Sequence, residues 1–396
     1  MDNNKEIDAL LKTLTEQGIP GCALLVRRER AVIYEHYTGY ADLELQKEMN
    51  ADTLFRIYSM TKLYTCAAAL QLCAENKLAF NEPVSRYLPE YEHITICENG
   101  TYGRRTKSAS PLRIWNLLTM TAGIPYNGEA GTLSGLKMDT MMEQLNQDYP
   151  QDAYSSRELA RRIADIPLEF EPGTGWVYGF SHDILGAVIE TVTGQSLEEY
   201  FRRHLWEPLE LHNTFFHLIY EKDKTRLSAL YRRNESGSLL QEKNRDSCYA
   251  LNAKFESGGG GVLSTLNDFS IFADLLCNQG ISTNGRELLK PELCKLMMQN
   301  QLKSSILTTF PYKGYGYGIG GRVLLSDCDG IDKKTEEYGW HGVAGTWCIM
   351  NPKQKITIIY MQQMIPGMEE QTLPFIRNGV YRAMGCTLSS PRLLSP

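Results

Sequence analysis

The chain has 396 residues, 42% of them hydrophobic and 22% charged. That is the composition of a globular protein with ample core, long enough for two domains or for one domain carrying an insertion. Lys and Arg number 41 against 47 Asp and Glu, a formal charge of −6, so no basic field draws in nucleic acid or anionic lipid. No apolar stretch reaches the ~20 residues of a membrane span, and the polar start Met1 to Glu6 is not followed by the apolar run of a secretory signal. Ten cysteines without a Cys-x-x-Cys pair read as buried free thiols in a reducing compartment, so the expected location is the cytoplasm.

Ile7, Leu10, Leu11 and Leu14 lie on one face of a helix that Gly18-Ile19-Pro20 ends. Cys22 to Val26 and Ala31 to Tyr37 form a hairpin about the charged tip Arg27 to Arg30, a basic cluster that reads as a solvated turn, like Gly103-Arg104-Arg105. Leu54-Phe55-Arg56-Ile57 then leads to Ser59-Met60-Thr61-Lys62, which opens a run of helix formers ending at Lys77. Three helical residues turn about 300°, so the Ser59 hydroxyl and the Lys62 amine emerge side by side. A serine becomes a useful nucleophile when a base takes its proton, and a lysine can serve if its surroundings allow. The free N–H groups of a helix start can also hold an oxyanion.

Residues 80–231 read as a mostly helical insertion, and residues 1–79 and 232–396 as a discontinuous α/β sheet domain. Within the insertion, Ser110-Pro111 predicts a helix over Leu112 to Met120. Ser155 with Glu158 and Ser196 with Glu199 predict two capping boxes, and Ser181-His182-Asp183 reads as a helix start rather than a triad. Further on, Gly258 to Gly261 reads as a close backbone approach or a turn, and Thr265 with Asp268 caps another helix. Gly345 to Met350 and Lys355 to Met361 pair around Asn351-Pro352, and a last helix near Pro374 to Met384 packs beside the first. The seven histidines form no zinc pattern, and neither glycine-rich stretch has the ending of a phosphate loop. No metal and no cofactor is expected. No Gly-x-Ser-x-Gly elbow is present either. On position alone, Tyr178 is a loop tyrosine between a turn and the next helix.

Five stretches in order change that reading. They are Ser59-Met60-Thr61-Lys62, then Leu117 to Ile124, then Pro172-Gly173-Thr174 with Tyr178-Gly179-Phe180 and Asp183 to Gly186, then Gly259 to Thr265, and last Tyr338 to Thr346. Together they resemble the serine β-lactamase-like group of class C β-lactamases, D-alanyl-D-alanine peptidases and family VIII carboxylesterases. The resemblance implies an α+β fold of the β-lactamase/transpeptidase type, an antiparallel sheet flanked by helices with a helical insertion domain. It implies that Ser59 accepts the acyl group, that Lys62 is its base or proton partner, and that Tyr178 helps move the proton to the leaving group. In the third box the best register is Trp340-His341-Gly342, so Val343 would supply an oxyanion-hole N–H beside that of Ser59. A register one residue later would put His341 first.

Two departures bear on substrate. Phe180 stands where β-lactamases and peptidases commonly carry an asparagine that contacts the substrate amide, and no lysine opens the third box. Both favour a carboxylesterase acting on small neutral esters, with β-lactamase, D-amino-acid peptidase or acyltransferase chemistry as alternatives at the same site. Tyr126, Tyr315 and Tyr317 are candidates for the acyl pocket. The partner expected is a small ester or amide substrate. A non-catalytic binder of acyl ligands is the alternative of another class.

Overall fold

The computed structural model describes residues 2–97, 105–128, 131–243, 246–251 and 253–386; Gly103 and Arg104 of the second basic cluster fall outside them. One eight-stranded sheet runs in the order Tyr315–Tyr317, Arg322–Leu324, Tyr338–His341, Trp347–Asn351, Ile356–Gln362, Gly21–Arg28, Ala31–Asp42 and Lys47–Glu48. Every neighbouring pair is antiparallel. The two ends of the chain therefore meet at its centre, where Leu24 opposes Tyr360.

The central strands are buried on both faces, and side-chain alternation sorts them. Cys22, Leu24 and Val26 join Ile7, Leu11 and Leu14 of helix Asp2–Glu16 and Leu373, Ile376 and Val380 of helix Glu369–Ala383. Ala23 and Leu25 turn the other way, towards Phe269, Phe272 and Ala273 of helix Leu266–Cys277. That second cluster continues without a break through Tyr64 to Leu185 and Phe201. One core thus joins the sheet to the helix-rich segment after residue 80. Helix Thr61–Ala74 lies in its middle, buried over its first ten residues, as a helix apolar on all sides must be. The Tyr64 ring stacks on Phe272 with centroids 3.8 Å apart.

Some local expectations change. The hairpin turn is Glu29-Arg30, both at positive φ, whereas Arg27 is not solvated. It is 7% exposed, and its Nε donates to Ser270 Oγ at 2.9 Å. The helix expected from Leu112 begins at Ile114, because Leu112 and Arg113 pair in extended form with residues 82–84: the Leu112 carbonyl accepts from the Val84 N–H at 2.8 Å and the Ile114 N–H donates to the Glu82 carbonyl at 3.1 Å. The last helix begins at Glu369 after a left-handed Met368 and carries Pro374 inside it. Ser155, Ser196 and Thr265 each accept the N–H three residues on. All ten cysteines are free, and no helix among the described residues is long and apolar enough to cross a membrane.

Glu190, on helix Ser181–Thr193, accepts from Ser156 Oγ at 3.2 Å. Burial and the nearby Glu256 push its carboxyl up to about 7. The native state therefore holds a proton that an unfolded chain has released. This stabilising contribution is complete below the ordinary carboxylate range and disappears as pH rises through about 7. Glu190→Gln should flatten that dependence. In thermal melts between pH 5 and pH 8, the fall in Tm with pH should be smaller by about 2 °C or more in the variant; equal slopes would contradict the assignment.

Candidate active site

Strand Phe55–Arg56 pairs with Leu263–Ser264, and the Ile57 N–H adds a bond to the Val262 carbonyl at 3.2 Å. The chain then turns sharply. Tyr58 adopts φ 44°, a left-handed conformation that costs a non-glycine residue on the order of 1–3 kcal/mol and persists only where neighbours enforce it. Ser59 follows within a 3₁₀ turn, Tyr58–Met60, that feeds helix Thr61–Ala74. Lys62 is thus the second residue of the α-helix and Ser59 stands just before it.

The Lys62 side chain is fully buried. Its Nζ donates to the Gly259 carbonyl at 2.6 Å, lies 3.0 Å from the Tyr126 hydroxyl and 3.1 Å from Ser59 Oγ, and sits 4.6 Å from the centre of the Tyr178 ring. The glycine segment makes this possible. Gly259 passes so close that a Cβ there would strike the Asp183 carboxylate and lie 3.0 Å from the Tyr126 oxygen. Asp183 Oδ1 accepts from the Gly259 N–H at 3.1 Å and from Ser257 Oγ at 2.5 Å. Burial raises the Asp183 carboxyl, with Lys62 opposing the shift.

Tyr178 borders the same amine, and its hydroxyl accepts from Trp340 Nε1 at 2.9 Å. Burial pushes the phenol above its ordinary value, with Ser59 and Trp340 pulling the other way, so Tyr178 holds its proton at neutral pH. Its ring meets Tyr126 edge to face at 5.5 Å, and Tyr126 meets Phe180 in the same manner at 4.6 Å.

The strand carrying Trp340 ends against the serine turn. A Cβ on Gly342 would lie 2.6 Å from the Ile57 carbonyl oxygen and 3.2 Å from Tyr58 Cβ, so only glycine lets the two meet. The turn after it is fixed by Gly342 N–H donating to the Thr346 carbonyl at 2.7 Å, and Thr346 Oγ1 donates to the Ile57 carbonyl at 3.3 Å. Among the described residues no acceptor takes the backbone N–H of Ser59 or of Val343. His341 points elsewhere: Nε2 lies 3.0 Å from the Tyr312 hydroxyl, and Nδ1 lies 3.9 Å from Glu369, which pairs with Arg322 at 2.5 Å. Burial lowers the imidazole to about 4 against the pull of Glu369, so it is neutral at neutral pH.

Not every candidate joins this group. The Tyr315 hydroxyl accepts from buried Arg377 at 3.0 Å and its ring lies under Arg322 at 4.9 Å, which makes it part of an ion network behind the sheet rather than a pocket wall. Tyr317 is fully buried, edge to face with Trp340 at 5.2 Å. Tyr126, expected only to line a pocket, touches Lys62 directly. The roles of the Gly259 carbonyl, Asp183 and Ser257 around Lys62 were not expected from the sequence, although Asp183 and Gly259 stand in two of the five stretches. His182 is a buried helix residue 3.2 Å from Cys66 Sγ. Among the described residues, Glu198, His217 and Glu256 bring possible metal-ligand atoms within 4.8 Å of one another. Two of those carboxylates already accept the Phe216 and Glu198 N–H groups, as caps of local backbone.

Comparison with known proteins gives the family of the chain. A family model for Beta-lactamase matches residues 7–376. Esterase EstB of Burkholderia gladioli is 34% identical over 215 residues, 53% of this chain and 50% of that protein. A putative D-alanyl-D-alanine carboxypeptidase of Escherichia coli (strain K12) is 24% identical over 383 residues, 90% of this chain and 81% of that one. Among solved structures, EstCE1, a hydrolase with promiscuous acyltransferase activity, superposes with a TM-score of 0.79 at 25% identity, covering 96% of this chain and 98% of that one. The antiparallel sheet and its helices are the β-lactamase/transpeptidase fold. The chain belongs to the beta-lactamase family, among relatives that include esterases, acyltransferases and carboxypeptidases.

Proposed function

We propose that this protein is a serine hydrolase that cleaves small neutral carboxylic esters through an acyl-enzyme on Ser59. The observation that carries the reading is the group gathered around one buried amine: Lys62 Nζ stands 3.1 Å from Ser59 Oγ, 3.0 Å from the Tyr126 hydroxyl and 4.6 Å from the centre of the Tyr178 ring. Lys62 Nζ, held by the Gly259 carbonyl and beside the Tyr126 hydroxyl, is the base that takes the serine proton. Ser59 Oγ then attacks the ester carbonyl and the N–H groups of Ser59 and Val343 receive the oxyanion. As the intermediate collapses, the bond to the alkoxide breaks and Tyr178 gives that oxygen its proton. The Lys62 ammonium restores the phenol, so the serine proton leaves with the alcohol. Water repeats the sequence on the acyl-enzyme, with the same groups in reverse roles.

The walls favour esters over lactams and peptides. Phe180 is 6% exposed and packs on Tyr126, so its position offers no amide to pair with a substrate amide. An indole and a neutral imidazole stand where a lysine would face a substrate carboxylate. EstB is an esterase by name, which supports the same choice. Lactam or peptide cleavage by the same three residues is the second reading, favoured by the carboxypeptidase relative.

Hydrolysis of p-nitrophenyl butyrate should fall by about 1000-fold or more in Ser59→Ala, and wild type should turn this ester over faster than nitrocefin. Equal rates in variant and wild type would remove the enzyme reading, and a large preference for nitrocefin would replace the ester by the lactam. Trp340→Phe keeps a ring but removes the donor to Tyr178, so kcat should drop by about tenfold, the worth of one buried hydrogen bond, with KM little changed. Gly259→Ala should lose more, because the added methyl displaces the Lys62 acceptor; unchanged kcat in both variants would contradict the assigned geometry.

A further inference from the structure

Arg56 ends the strand that delivers Ser59, three residues ahead of it, and is 2% exposed. Nothing in the reaction above uses it, yet it is saturated with bonds to distant parts of the chain. Its Nε and Nη2 form a fork on Asp246 at 2.7 and 2.6 Å. Its Nη1 donates to the Ser228 carbonyl at 2.7 Å and to Gln363 Oε1 at 3.2 Å. The Gln363 amide also copies a neighbouring strand, accepting the Arg56 N–H at 3.2 Å and donating to the Arg56 carbonyl at 3.1 Å.

Two consequences follow from what these partners hold. The Arg56 backbone is gripped on both of its polar groups just before Tyr58 enters its left-handed conformation, so the turn that aims Ser59 starts from a fixed point. Asp246 in turn begins the segment that runs to Ser257 and Gly259, the two residues that meet Asp183 and Lys62. The ion pair therefore ties the strand that delivers Ser59 to the start of the stretch that leads to Gly259. A planar guanidinium paired at two points sets direction as well as distance, which a single lysine contact would not.

Resting on the hydrolase reading above, we infer that Asp246 and Gln363 are positioning residues: acting through Arg56, they fix the Tyr58-Ser59 turn and the segment that offers the Gly259 carbonyl to Lys62. Neither touches the reacting atoms. Their loss should therefore lower kcat with KM little changed, since a displacement of about 1 Å at the nucleophile is worth up to about 100-fold in rate.

The test uses the full chain with Asp246→Asn, Asp246→Glu and Gln363→Glu, read by p-nitrophenyl butyrate kinetics, thermal melts and hydrogen exchange resolved to peptides. Asp246→Asn should lower kcat by about 10- to 100-fold, and Asp246→Glu should recover part of it. Gln363→Glu keeps the acceptor for Arg56, adds a charge to the pair and removes the donor to the Arg56 carbonyl. It should lower kcat, and it decides the matter if Asp246→Asn does not fold. Exchange should quicken in peptides covering 56–62 and 257–263 and stay unchanged in 356–362. Unchanged exchange in the first two peptides, or kcat within twofold of wild type in folded variants, would overturn the inference. A wild type without Ser59-dependent turnover would instead end the hydrolase reading, and the exchange arm would still decide the positioning role.

Discussion

The structure depends on the burial of one amine. Lys62 has no exposed surface, and a primary amine taken from water is tolerated only where polar partners replace its hydration. The three found here, Ser59, Tyr126 and Gly259, arrive from separate stretches of chain. Satisfying that one group therefore fixes where the nucleophile turn, the loop after Pro125 and the glycine segment must lie. It also brings a hydroxyl, an amine and a phenol together as a by-product of correct packing. The site is not an ornament on the core, because the helix that carries Lys62 runs through the middle of it.

Around this centre the fold spends conformational freedom in a few places. Tyr58 is held left-handed, Gly342 admits a carbonyl where a side chain would stand, and Gly259 lies against a carboxylate. Each is a local cost that the surrounding hydrogen bonds offset. Behind the third box, Arg322 with Glu369 and Arg377 with Glu337 place two ion pairs in the interior. Pairs of that kind contribute little net stability but hold geometry. Through Tyr312 and His341 the first of them reaches the rim of the cleft, so the end of the sheet that bears Trp340 is held from behind as well as from the serine side.

Much of this was legible in the chain. The hairpins, the N-cap hydroxyls of Ser155, Ser196 and Thr265 and the helix after Ser59 follow from periodicity and capping chemistry, and Ser59, Lys62 and Tyr178 stand in motifs whose order along the chain is recognisable. The rest was hidden for physical reasons. A carbonyl acceptor such as that of Gly259 belongs to every residue, so its use cannot be read from composition; the four glycines only announce that backbone comes close to something. Tyr126 and Tyr315 look alike as aromatic residues near motifs, yet one hydroxyl meets an amine and the other an arginine behind the sheet. Arg27 looked like a turn residue because its neighbours are charged, whereas its long stem lets the guanidinium reach back to Ser270. The start of the helix at Ile114 was set by extended pairing of Leu112 and Arg113 with residues 82–84, a distant stretch that no local pattern can weigh.

The proposed chemistry is transfer of an acyl group through a covalent bond to one oxygen, with neutral esters as its substrates. Trapping that bond tests the account most directly. After incubation with a neutral alkyl fluorophosphonate, the intact mass should rise by a single phosphonyl group, and peptide mapping should place it on Ser59. Absence of a stoichiometric adduct on a folded protein, or an adduct confined to another residue, would contradict the account.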